Sequence, residues 1–83
     1  MTPRLPRNVS GGQLASALPL HGYQITRQTG SHLRSTTTTS GEHHLTIPVH
    51  DPLKLGTLSA IPSEVSRHLG ISKAELIRRL FES

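Results

Sequence analysis

The stretch Tyr23-Gln24-Ile25-Thr26-Arg27-Gln28-Thr29-Gly30-Ser31-His32-Leu33-Arg34 decides how this chain is read. Tyr23 to Arg27 alternates apolar and polar residues, the period of a half-buried strand, with Tyr23 and Ile25 facing the core. Thr29-Gly30 turns the chain. His32 to Thr37 is polar and β-branched and predicts a second strand with Leu33 inward. The same alternation turns His32 and Arg34 to the opposite, open face and leaves Arg27 nearer the rim. The threonines from Thr36 to Thr39 read as strand running into a hairpin, not as a linker.

Downstream, Ser40-Gly41 supplies the next turn. His44 to Val49 alternates again, with Leu45, Ile47 and Val49 on the buried side. Pro48 cannot donate a ladder hydrogen bond, so this strand is expected to be an edge or to end near Pro48. Three strands joined by short turns predict an antiparallel meander. After Asp51-Pro52, Leu55, Leu58, Ile61, Val65 and Leu69 recur at helical spacing. Thr57 is the expected N-cap, although a start near Ser59 would put Pro62 in the permissive first turn. Arg67 and His68 suit the last turn, and Gly70 closes it. Ser72-Lys73-Ala74-Glu75 matches a capping box and opens a final helix with Ile71, Leu76, Ile77, Leu80 and Phe81 as its apolar side.

Upstream, Leu14 and Leu18 mark a short helix from Ser10 to about Leu20, with Ser10 as N-cap. Gly11 and Gly12 weaken its first turn, and Pro19 ends or kinks it near Leu18. Residues 1–9 read as a flexible arm and residues 10–83 as a single domain. The predicted class is α+β, ordered α-β-β-β-α with an added C-terminal helix. Helices then cover one face of a three-stranded antiparallel sheet, as in double-stranded-RNA-binding domains.

With 83 residues, folding buries only about 60–65% of the surface that the unfolded chain exposes, so the core is small. No cysteine is present, which excludes disulfides and cysteine-based zinc sites. No apolar run approaches the roughly 18 residues of a membrane span. Arg4 and Arg7 precede no apolar stretch, so no secretory signal is expected. A cytoplasmic location fits. The net charge of +4 is unevenly spread: residues 1–41 carry Arg4, Arg7, Arg27 and Arg34 and no acidic residue, whereas the remainder balances. A basic half on a small domain points to a polyanionic partner such as RNA.

RNA carries its own nucleophile, the 2′-hydroxyl, so a ribonuclease needs a group to move that proton and cations for the phosphate. An imidazole near neutrality suits the first task and an arginine fork the second. His32 is the candidate acid or base. Arg34 and Arg27 are candidate phosphate ligands, and so is Lys54, which precedes the exposed amides of a helix. Ser31 lacks a base–orienter set and is not read as a nucleophile. His43 and His44 point to opposite faces of one strand and cannot readily share an ion. With no carboxylate at ligand spacing, no metal or other cofactor is expected.

Four motifs in order carry a resemblance: Gly22-Tyr23; Arg27-Gln28-Thr29-Gly30-Ser31-His32; Thr46-Ile47-Pro48-Val49-His50; and Lys54-Leu55-Gly56-Thr57-Leu58. Together they are similar to the HicA family, small messenger-RNA endoribonuclease toxins paired with HicB antitoxins. The similarity extends over roughly residues 5 to 80. It implies His32 as the catalytic histidine, Gly30 and Ser31 as positioning residues, and His50 as the strand-end histidine. It also implies an RNA substrate and a HicB-like antitoxin as partners. Pro19 and Pro62 stand where the family's helices carry other residues. Two alternatives remain open: a helix-turn-helix DNA-binding protein over residues 57–80, and an RNA-binding module without turnover.

Overall fold

A computed structural model of the chain describes residues 8–81. The expected flexible arm therefore lies outside the described residues except at its end, where Val9 is buried in the core and accepts a backbone hydrogen bond from Leu53. The elements run α1 (Gly11–Ala17), a 3-10 turn (Leu18–His21), β1 (Gln24–Gln28), β2 (His32–Thr37), β3 (His43–Pro48), α2 (Leu55–Leu69) and α3 (Lys73–Phe81). The sheet is an antiparallel meander in the order β1-β2-β3, so Pro48 sits on an edge strand. Helices α1 and α2 pack on one face of it. The fold is the α+β arrangement expected from the pattern, with α3 as the added helix. A helix-turn-helix reading leaves the middle of the chain without a sheet; three strands stand there instead.

Local chemistry explains the boundaries. Ser10 caps α1 reciprocally: its hydroxyl accepts from the Gln13 amide at 3.1 Å, and its amide donates to the Gln13 side chain at 2.8 Å. Pro19 lacks the amide that would continue α1, and the chain tightens there into the 3-10 turn. Gly22 ends that turn at φ 91°, a left-handed conformation that glycine adopts without penalty. The core gathers Leu14, Leu18, Tyr23, Leu33, Leu45, Ile47, Leu58, Val65 and Leu76, each at most 5% exposed.

Several expectations need correction. Ile25 and Val49 are 45% and 43% exposed, not buried. Ile25 lies on edge strand β1, all of whose residues are exposed, while α1 and α2 lie over β2 and β3. Val49 falls beyond the end of β3, where its amide turns to the Ser31 carbonyl at 2.9 Å. Helix α2 begins before Thr57: Lys54 is its N-cap, and the Leu58 amide donates to the Lys54 carbonyl at 2.9 Å. Leu58, Ile61 and Val65 are buried in the core, whereas Leu55 in the first turn is exposed. Pro62 consequently stands in the interior of α2, its ring buried, and no amide is offered there to the Leu58 carbonyl. At α3 the Ser72 hydroxyl accepts from the Glu75 amide, as expected. The Glu75 carboxylate, however, turns forward to Arg78 and Arg79 instead of back to the cap.

Among the described residues, no helix is long and apolar enough to cross a membrane.

Candidate nucleic-acid interface

The face of the sheet turned away from the helices is built by alternation. Leu33, Ser35 and Thr37 of β2 are buried against the helical layer, and His32 and Arg34 are exposed on the other side. On β3, Leu45 and Ile47 are buried, and His44 and Thr46 are exposed. Cross-strand partners share a face. Arg34 therefore lies beside Thr46, Thr36 beside His44, and His32 beside Pro48.

Simple alternation misplaces Arg27. An irregularity between Ile25 and Arg27 shifts the register, and Arg27 becomes the partner of Arg34. A bulge of this kind re-aims the side chains beyond it. Two arginines so paired lie about 5 Å apart at their Cα atoms, and His32 is about 7 Å from Arg34 along the strand. Neither arginine has a carboxylate within 4.0 Å among the described residues. Like charges directly opposite one another destabilise a sheet by up to about 1 kcal/mol, a cost that a bound anion reverses.

His32 follows a turn held by Thr29. The Thr29 hydroxyl accepts from the His32 amide at 3.1 Å and from the Ser31 amide at 3.4 Å, and the Thr29 amide donates to the His32 carbonyl at 2.9 Å. The Ser31 hydroxyl lies 2.9 Å from His32 Nδ1. The ring is thereby tethered at one nitrogen with Nε2 turned away. Gly30 does not set the backbone through a left-handed conformation, because its φ lies outside that region. A side chain there would meet nothing within 4 Å.

Of the other expected residues, His50 follows Val49, whose amide holds the Ser31 carbonyl, and Lys54 lies at the start of α2. His50 lies past the end of β3, exposed, with its carbonyl accepting from the Gly11 amide at 2.9 Å. Lys54 is exposed at the N-cap of α2, in the helical layer.

Two groupings escaped sequence reading. On the open face, Thr26 Oγ1 lies 2.9 Å from Thr36 Oγ1, which lies 2.9 Å from His44 Nδ1. Glu42 stands 3.4 Å from the other nitrogen of His44. On the opposite face, the Tyr23 hydroxyl lies 2.8 Å from His43 Nδ1, and the His43 ring stacks on His68 with centroids 4.5 Å apart. His68 Nε2 donates to the carbonyls of Thr39 and Gly41. Burial, then the neighbouring His68, lowers the His43 pKa from 6.5. No local pattern joins Tyr23, His43 and His68; only the fold does. His43 and His44 do point to opposite faces, as their adjacency requires, and no three histidines or carboxylates gather as a metal site among the described residues.

A family model described as the HicA toxin of bacterial toxin–antitoxin systems matches residues 11–71, from the start of α1 through α2, and leaves α3 outside. No curated protein and no solved structure matches the chain. The family match spans well over half of the chain, in the order of elements and around the motifs described above. The chain belongs to the HicA toxin family of bacterial toxin–antitoxin systems.

Proposed function

We propose that this toxin is a metal-independent endoribonuclease that cleaves messenger RNA across the open face of its sheet. The observation that carries the reading is an exposed imidazole, tethered by Ser31, beside two facing arginines without carboxylate partners. Nδ1–H donates to the Ser31 oxygen, and Nε2 takes the proton of the RNA 2′-hydroxyl as that oxygen attacks phosphorus. A bond from the 2′-oxygen to phosphorus forms, the bond to the 5′-oxygen breaks, that oxygen takes a proton from water, and a 2′,3′-cyclic phosphate and a 5′-hydroxyl result. His32 acts equally well in the reverse sense, as an imidazolium that protonates the leaving 5′-oxygen. Arg27 and Arg34 hold the phosphate oxygens and neutralise the charge that builds on them. Lys54 binds backbone farther along, at the start of α2. Gly30 and Ser31 keep the approach clear and the ring oriented, and His50 steadies the end of β3. A HicB-like antitoxin inhibits by covering His32. The toxin works in the cytoplasm, where its substrate is made.

The test is His32→Ala assayed on single-stranded RNA with a chelator present. We expect cleavage to fall by at least about 10²-fold, with RNA binding and melting temperature retained. Wild-type cleavage by this variant removes His32 from the mechanism. Cleavage that stops with the chelator refutes the metal-independent route. RNA binding by the unaltered protein with no cleavage refutes the enzyme reading and leaves a binding module.

A further inference from the structure

The RNA-binding proposal needs something to hold bases as well as phosphates, and the choice of flat side chains is narrow. The single tyrosine, Tyr23, is fully buried, and the single phenylalanine, Phe81, packs against the core. No tryptophan exists. Among the described residues, the flat rings on the open face are the imidazoles of His32 and His44.

His44 lies across from Thr36, four residues along β2 from His32 and one strand over. That spacing is about 14 Å from strand geometry, too far for both rings to meet one phosphate. Both nitrogens of His44 are also engaged, Nδ1 with Thr36 at 2.9 Å and Nε2 with Glu42 at 3.4 Å. At that distance His44 is not a second acid–base group for the phosphate that His32 meets. What it offers is the face of a held ring, with its side chain 38% exposed. Beside the ring stands the Glu42 carboxylate, 70% exposed, which repels phosphate and accepts hydrogen bonds from base N–H groups.

We infer that His44 and Glu42 form a base-reading subsite for a nucleotide flanking the scissile one. The base stacks on the His44 ring, as unpaired RNA bases do on imidazole and aromatic side chains. Glu42 accepts from its edge. Guanine fits best, because its ring N–H and exocyclic amine present adjacent donors to one carboxylate. Uracil, with a single ring donor, fits worst. Thr26 and Thr36 hold the ring in place through the hydroxyl chain across the three strands.

This inference rests on the RNA reading, and the test separates the two. The parent protein is His32→Ala, which keeps RNA intact. Its affinity is measured by fluorescence anisotropy for an oligouridine and for the same oligomer with one central guanosine. The guanosine oligomer should bind about tenfold tighter, the scale of one base–ring stack with its edge contacts. His44→Ala should abolish that difference, His44→Phe should retain the stack, and Glu42→Gln should relax the choice between bases. Equal binding of the two oligomers by the parent, or unchanged discrimination in His44→Ala and Glu42→Gln, overturns the subsite and leaves the nuclease reading intact. A parent that binds neither oligomer overturns both. All these side chains are exposed, so melting temperatures should match the parent.

Discussion

Gly11→Ala and Gly12→Ala, adjacent in sequence, should have opposite effects. Both glycines weaken the first turn of α1 by propensity, so a sequence argument expects alanine to help at each. A Cβ on Gly11 would stand 1.9 Å from the Pro48 carbonyl oxygen and 3.0 Å from its carbon. These are backbone atoms and cannot rotate away. The start of α1 must lift off the end of β3, which also breaks the hydrogen bond from the Gly11 amide to the His50 carbonyl. The lost bond costs about 1 kcal/mol and the overpacking about 1–3 kcal/mol. For a domain of this size each kcal/mol is worth about 4–8 °C in Tm, so Gly11→Ala should melt about 10–30 °C lower. A Cβ on Gly12 meets only the Ser10 oxygen, at 3.9 Å, and Gly12→Ala should gain about 0.5 kcal/mol. Paired thermal and urea unfolding reads both. The displaced strand end also carries Val49, whose amide holds the Ser31 carbonyl at 2.9 Å. Gly11→Ala should therefore lower RNA cleavage as well, even at a temperature where it stays folded. If Gly11→Ala is as stable as the unaltered protein, the close approach of α1 to β3 is wrong.

The remaining predictions concern the turn before His32 and the half-buried histidines His43 and His21. Thr29→Ala removes the hydroxyl that accepts from the His32 and Ser31 amides. Cleavage should fall several-fold with RNA affinity nearly unchanged, and Thr29→Ser should restore it; an equal loss in Thr29→Ser argues against the hydrogen bonds. His43 and His21 both have pKa values lowered from 6.5, mainly by burial, with His68 next for His43 and Arg79 for His21. The unfolded chain then binds more protons below that pH, so stability is full above about pH 6.5 and is lost as pH falls. Urea midpoints should drop between pH 7.5 and 5.5, and less so in His43→Phe. Identical midpoints at the two pH values would sink this reading.

Much of the architecture was legible because it rests on local patterns. The order of three strands and their flanking helices follows from alternation, turn residues and helical spacing, and period two alone put His32 and Arg34 on one face. The errors arose where tertiary contact overrode those patterns. Ile25 has the right period for burial but sits on a strand that the helices do not cover. Thr57 looks like a cap, yet α2 starts at Leu55, where the Lys54 carbonyl accepts from the Leu58 amide.

Sequence by itself determined the kind of fold, the family and the exposure of His32 and Arg34 on one face, since each depends on patterns of residues close along the chain. Tertiary structure alone decided which charges meet. A register shift in β1 brings Arg27 opposite Arg34, and strand pairing joins Thr26, Thr36 and His44 into one hydrogen-bonded row. Packing of α2 stacks His68 on His43. The physical reason is that register and layer packing are settled by the whole buried surface at once, and a window of neighbouring residues contains none of that information.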